Sequence, residues 1–322
     1  PPHPTMILIA GSANLDFVVR AAHIPAPGET VLGRDFQTFP GGKGANQAIG
    51  CARAGAADTT MLLALGNDPF AVPIEASLRG AGVRMETVRV ADAPTGTAFI
   101  CVSDDGENAI TVAPGANSRL GPDALPPLDG CSHLLMQLET PLASVTAFAH
   151  SARAEGVLVV LNAAPAQSLP RELLDLLDLL IVNEGELAAI SGSQGSVADQ
   201  LARLDVPMVV VTLGSHGCCA RLGGQLLLQT AFAVPVVDTT AAGDTFCGVL
   251  VAALSRKGHG PAAVASALRE ASAAAALTCT TLGAQNSIPE AAAVQRFLSE
   301  HPSDDPGSVE TLRQFCLAAP AA

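Results

Sequence analysis

Six short aliphatic runs constrain this chain more than any other feature: MILIA (6–10), TTMLLAL (59–65), SHLLMQL (132–138), VLVVLN (157–162), LLIVN (179–183) and PMVVVT (207–212). A strand with one face in water alternates apolar and polar residues. These runs are nearly continuous, so each must be covered on both faces. Between them lie stretches with helical patterning, at 44–54, 70–80, 141–155, 171–177, 184–191 and 196–204. That alternation predicts an α/β fold with a doubly wound, mostly parallel, Rossmann-like sheet flanked by helices. Aromatic residues make up only 3% of the chain, with no Trp or Tyr, so Ala, Leu and Val must build the core.

Two segments break the rhythm. The first is DFVVRAAHIPAPGETVLGRDFQTF (16–39). The second is TAFICVSDDGENAITV (97–112), in which strand-like arms flank the turn-rich SDDGEN and predict a β-hairpin. Both read as antiparallel and together as a small β-sheet lid. The expected organisation is an α/β domain over 1–300, with lid segments at about 16–40 and 95–114, and a tail over 301–322 holding one short helix. Exposed lid edges predict a homodimer pairing lid to lid.

A formal net charge of −13 argues against nucleic acid and anionic membranes as partners. An anionic substrate must then be held by a local device. The eight cysteines form no CxxC and no metal-ligand spacing with the histidines; they read as reduced thiols of a cytoplasmic protein. Neither a signal peptide nor a run long enough to span a bilayer is evident, and Ala-rich 271–277 reads as buried helix.

The stretch DTTAAGDTF (238–246) precedes the apolar run CGVLVAAL. Small residues at Ala241, Ala242 and Gly243 leave the backbone accessible. If a helix starts near Ala242, its first N–H groups and its dipole form an anion hole. Asp244 at that helix end could accept a proton from a substrate hydroxyl. Phosphoryl transfer asks mainly for positioning and charge neutralisation, which such a pair supplies. A plain helix start would also explain the stretch.

A second cluster, PGGKGANQ (40–47), places Gly41, Gly42 and Gly44 beside Lys43 and Asn46. It lacks the spacing of the P-loop, and the first strand carries no GxGxxG. That strand instead ends in GSANLD, with Asn14 and Asp16 expected on the following loop, at the carboxyl edge where open parallel sheets bind ligands. Asn183 and Glu186 of NEGE, at another strand end, fit either Mg²⁺ held largely through waters or a capping box. The loop TLGSHG (212–217) suits nucleotide phosphates or ribose.

In this order, each at a strand end, these motifs resemble those of the ribokinase-like sugar kinases over about residues 6–298. GGKGANQA (41–48) and DTTAAGDTF resemble the two family signatures, and PGETV, PTGTAFI, GAN, LET and GAQNSIP match in kind. The resemblance implies ATP-dependent phosphorylation of a sugar's primary hydroxyl, with D-ribose the expected acceptor and fructose, 2-deoxyribose or a nucleoside such as adenosine the alternatives. Asp244 would be the base, with Ala241, Ala242 and Gly243 as the anion hole. Asn14, Asp16, Gly42, Lys43, Gly44, Asn46 and Glu139 would hold the sugar. Asn183, Thr212, Gly214, Ser215, Gly217 and Gly243 would hold ATP, and Glu186 would lie in the Mg²⁺ shell. A K⁺ activator would fall on Asp238, Thr240, Thr278, Thr281, Gly283 and Ser287. Ser272 stands where the family often has His or Asn beside adenine. Two readings from other classes are a sugar-binding regulator without turnover, which intact Asp244 and Gly243 oppose, and a Rossmann oxidoreductase, which the missing GxGxxG opposes.

Overall fold

The computed structural model describes residues 5–318. Its strands are β1 (Met6–Ala10), β2 (Asn14–Ala21), β3 (Arg34–Gly41), β4 (Thr59–Gly66), β5 (Arg84–Val90), β6 (Gly96–Ser103), β7 (Asn108–Ala113), β8 (Cys131–Met136), β9 (Leu158–Asn162), β10 (Leu179–Asn183), β11 (Met208–Thr212), β12 (Gly217–Leu222) and β13 (Gln225–Thr230). Nine of them form one sheet in the order β13-β12-β11-β10-β9-β8-β1-β4-β5. From β11 to β5 every pairing is parallel, and β12 and β13 add an antiparallel edge. The doubly wound sheet expected from the aliphatic runs is present.

Alternation along β1 shows why those runs are continuous. Ile7 and Ile9 pack on one face, in the cluster that includes helices Ala242–Lys257 and Pro261–Thr278. Leu8 and Ala10 pack on the other, with helix Leu142–Ala154. Period-two side chains thus feed two cores from one strand. Ala271, Ala273 and Ala274 are buried within helix Pro261–Thr278, as the Ala-rich stretch suggests.

The second sheet has four strands, in the order β3-β2-β6-β7. The hairpin β6–β7 is antiparallel and so is β2–β3, but the two segments join through a parallel pairing of β2 with β6. The expectation of a wholly antiparallel lid is corrected at that seam. Asn14 and Asp16 also lie within β2 and not on a loop. The link after β1 is only Gly11-Ser12-Ala13, because Asn14 already pairs with Gly41 and with Gly96. Phe17 packs against Phe36, Phe70 and Phe99, which gathers four of the chain's few aromatic rings under and on the lid.

The sequence patterning had not marked β5 and β13 as strands, and of β12 it had read only Cys218 and Cys219 as strand. RMETVRV is a half-exposed edge strand, and GCCARL opens on Gly217 at φ 111°. Cys218 and Cys219 are strand residues, and all eight cysteines are free thiols. Near the C-terminus, helix Pro306–Leu317 starts at Asp305, whose carboxylate accepts from Ser308 N–H at 2.8 Å, and Pro306 occupies the first turn. Among the described residues no helix is long and apolar enough to cross a membrane.

Candidate active site

The site lies at the carboxyl edge of the parallel sheet, where β1 and its neighbours hand over to loops and to the lid. Gly42, at φ 92°, caps helix Lys43–Ile49. A Cβ there would stand 2.8 Å from Ala13 Cα, and one at Gly44 would stand 2.6 Å from Ser12 N, so these glycines allow the helix start to lie on the β1–β2 link. Asn46 and Gln47 on this helix then face helix Ala242–Lys257. Asn46 Nδ2 donates to Asp244 Oδ2 at 2.9 Å, and Gln47 Nε2 donates to Asp244 Oδ1 at 3.0 Å.

Asp244 sits in the first turn of its helix. Burial pushes its carboxyl above the usual range; Lys43 and the two amides partly oppose this. Ala241 before it is left-handed at φ 61°, a strained setting for a residue with a Cβ. The amides here are not equivalent. Ala242 N–H donates to the Thr239 carbonyl at 3.2 Å, whereas Gly243 and Asp244 N–H have no acceptor among the described residues. The expected anion hole therefore shifts: Ala242 N–H is engaged, and the free donors of the first turn are Gly243 and Asp244. Gly243 is exposed, so a cleft does reach this turn.

Two cavities meet there, sharing Thr212 and Gly243. The smaller, about 180 Å³, is lined by Lys43, Asn162, Asn183, Glu186, Asp244 and Cys247 among others. The larger, about 590 Å³, is lined mainly by apolar groups, including Phe232, Val234, Val236, Phe246 and Ala276, with Gly214, Ser215, Gly217 and Ser272 on its walls. Lys43, expected at the sugar, thus faces the smaller cavity beside Glu186. Its own burial disfavours the ammonium, but Asp244, Glu139 and Glu186 hold its pKa above the ordinary value. Ser272 also lies 3.6 Å from Cys218 Sγ.

Three carboxylates converge near the lid. Glu139 accepts from Ser12 Oγ and from Lys43 N–H, the latter at 3.0 Å. Asp16 lies against Gly41, where a Cβ would come within 2.2 Å of its Oδ2. Burial first, then Glu139 and Asp244, push Asp16 up to about 7. Asn14 is buried, and its Oδ1 accepts from Asn117 Nδ2 at 2.8 Å.

Asn183 and Glu186 form a capping box: Glu186 N–H donates to Asn183 Oδ1 and Asn183 N–H donates to Glu186 Oε2, both at 2.8 Å. Glu186 nonetheless lines the smaller cavity, so the capping role and the cavity role coexist. Asp238 joins two loops: its Oδ1 accepts from Thr240 N–H and Oγ1, and its Oδ2 from Gly283 N–H. Burial works against the Asp238 carboxylate, but these bonds hold its pKa below the usual value. Thr278 Oγ1 is turned to Thr245 and to the Ala274 carbonyl, Ser287 Oγ to the Ala284 carbonyl, and Thr281 is exposed.

Sequence reasoning missed the amides behind Asp244. Gln47 also donates to Asn162 Oδ1 at 2.9 Å and accepts from Gln137 Nε2 at 2.7 Å. Gln47 stands within GGKGANQ, so its position four residues after Lys43 was the available signal. Nothing local distinguishes Gln137 or Asn162.

Comparison with known proteins identifies the family. The model for pfkB family carbohydrate kinases matches residues 4–291. Among similar proteins, the ribokinase of Haemophilus influenzae is 38% identical over 92% of this chain and 98% of its own length. The ribokinase of Bacillus subtilis is 36% identical over 91% and 99%. Among solved structures, ribokinase of Thermotoga maritima superposes with a TM-score of 0.82 at 35% identity, covering 92% of this chain and 99% of that one. Arabidopsis thaliana ribokinase, solved with ribose and ATP, gives 0.83 at 32% identity over 91% and 98%. By sequence over most of its length and by fold, the chain belongs to the pfkB family of carbohydrate kinases.

Proposed function

We propose that this protein transfers the γ-phosphoryl group of ATP to the 5-hydroxyl of D-ribose, giving D-ribose 5-phosphate and ADP. One observation carries the reading: a carboxylate held at both oxygens stands beside two unpaired amides where two cavities meet. Asp244 takes the proton of the 5-hydroxyl as its oxygen bonds to the γ-phosphorus. The bond from that phosphorus to the β,γ-bridging oxygen breaks and its electrons leave with ADP. The Gly243 and Asp244 amides and the Lys43 ammonium face the charge on the transferring group. Asn14, Asp16, Gly42, Asn46 and Glu139 hold the sugar. Thr212, Gly214, Ser215, Gly217 and Ser272 hold the nucleotide in the larger cavity.

Glu186 and Asn183 suit Mg²⁺ bound mostly by waters and phosphates, since Glu186 is the one carboxylate besides Asp244 that lines the smaller cavity; the ion would neutralise phosphate charge. The Asp238 loop suits K⁺: its carboxylate is held ionised, bonds to Thr240, and through Gly283 N–H ties the loop to the segment that carries Thr278, Thr281, Gly283 and Ser287. A cation held there would fix the turn that carries the Gly243 and Asp244 amides. D-ribose-dependent ADP release should be strong in K⁺ buffer and weak in Na⁺ or choline; equal rates in all three refute the K⁺ assignment.

The lid supports a homodimer. Ile110 and Val112, each about half exposed, lie on the face of this small sheet opposite Phe17, Phe36 and Phe99, an apolar surface that a second lid would cover. Sedimentation at micromolar protein should give a dimer, and Ile110→Glu a monomer; a wild-type monomer contradicts it.

Asp244→Asn keeps the shape of the side chain and removes the base. Turnover should fall by about 10²–10⁴-fold, while ribose affinity by calorimetry changes little. Turnover within tenfold of wild type would overturn the base assignment.

The Asp16 pKa of about 7 makes a second, signed prediction. A raised folded pKa means that the folded state binds this proton more tightly than the unfolded chain does. The resulting stability is present below the unfolded value and is lost as pH rises through about 7. Asp16→Asn removes the ionised carboxyl, so in the sugar-free protein it should stabilise at pH 8 by about 1–4 kcal/mol. Near pH 4 the gain should nearly vanish, and ribose affinity should drop at pH 8. Urea melts showing the same gain at both pH values would refute this.

A further inference from the structure

The C-terminal segment lies beyond residue 291, where the family match ends, and no part of the catalytic argument uses it. It nevertheless touches both walls of the larger cavity. One wall is the turn Gly214–His216 with Gly217. The His216 ring stacks on Phe315 of helix Pro306–Leu317, with centroids 4.1 Å apart and planes 21° from parallel. Leu312 and Cys316, both buried, seat that helix on the main domain.

The other wall begins where β13 ends. Gln229 Nε2 donates to Asp304 Oδ2 at 2.9 Å and to Oδ1 at 3.1 Å, and Thr230 N–H reaches Oδ2 at 3.4 Å. Arg269 pairs with Asp304, donates to the His301 carbonyl, and lies with its guanidinium 5.0 Å from the centre of the Phe232 ring. Phe232 lines the cavity. Behind it stand Phe297, at 5.2 Å edge to face, and His301, at 5.7 Å. The two walls meet through one rung of the sheet, since Gly217 pairs with Thr230.

We infer that residues 301–317 form a positioning element for the adenosine half of the nucleotide: Phe315 sets the turn Gly214–Gly217 and Asp304 sets the start of the Phe232 wall. This rests on the reading of the larger cavity as the nucleotide site. Neither Phe315 nor Asp304 lines the cavity, so both act through other residues. Their effect therefore belongs in nucleotide affinity and not in the chemical step or in sugar binding.

The test uses the full chain. Phe315→Ala and Asp304→Asn should each raise KM for ATP, and Kd for ADP by calorimetry, by about 3- to 10-fold, in line with the loss of one stack or one charged contact. KM for D-ribose and kcat at saturating ATP should stay within twofold. Phe315→Tyr, which keeps the stack, should restore wild-type affinity. If the variants melt earlier but bind ADP as wild type does, the segment is only a brace and the inference fails. A rise in the ribose KM equal to that for ATP also overturns it. Should Phe315→Ala not fold, Asp304→Asn and Phe315→Leu carry the same comparison. Failure of the wild-type protein to bind ADP at all would instead sink the nucleotide reading itself.

Discussion

Each oxygen of the Asp244 carboxylate is held by one amide N–H, from Asn46 and from Gln47, and much of the architecture exists to keep that contact. Asp244 and these two amides sit on different helices, almost two hundred residues apart in sequence. Their helices must approach backbone to backbone. A Cβ at Gly248 would stand 2.3 Å from the Gln47 carbonyl and 2.6 Å from Cys51 N; one at Gly50 would meet Thr245 Cα at 3.2 Å. Glycine at both positions is what permits the crossing. Right after the contact the helix widens into a π-turn over Gly50–Ala54, a local irregularity often found beside functional residues. Behind Gln47, the amides of Gln137 and Asn162 fix its rotamer, so the base is oriented by a buried polar chain and not by a flexible side chain.

Electrostatics explains why so few charges suffice. The chain as a whole is acidic, and Asp16, Glu139 and Asp244 bring three carboxylates to one pocket. A nucleotide anion gains nothing from that general field. What is local at this helix start has the opposite sign: two amides without acceptors among the described residues, a helix dipole, and Lys43, whose charge is secured by the same carboxylates. The partition between cavities follows from this. The polar, smaller one collects the charged groups, and the larger one offers apolar wall to a base and sugar.

Much of this was legible in the sequence, and the reasons are specific. Continuous runs such as VLVVLN can only be strands covered on both faces, so the parallel sheet was readable. DTTAAGDTF combined small residues with an acid before an apolar run, which pointed to a carboxylate beside free amides at a helix start. What remained hidden depends on long-range pairing. Asn14 and Asp16 look like a polar turn, and only their pairing with Gly41 and Gly96 makes them strand. Ala242 has the same side chain as Ala241, but only the fold turns its N–H to Thr239. Lys43 stands among sugar-site residues in GGKGANQ and yet faces the phosphate-sized cavity. The helix at 306–317 was visible as an amphipathic segment, but its partner His216 lies far back in the chain.

Asp16 shows how the fold can hold an acceptor in reserve. Its carboxyl lies in a poorly hydrated place beside two other acids, with no hydrogen bond given to it by the described residues. Ionised, it is unfavourable there, and the folded state tolerates the cost because other contacts set the fold. Hydroxyl groups are the natural remedy, since each donates a hydrogen bond without adding like charge. A hydroxyl-bearing ligand between Asp16 and Glu139, as proposed for the sugar, would satisfy these acceptors. Gly41 is what allows this, because any side chain there would fill the space that Asp16 occupies. From Gly41 the backbone passes directly to Gly42, the cap of the helix that carries Asn46 and Gln47. The residue that Asp16 packs against and the amides that hold Asp244 are therefore only a few residues apart in the chain.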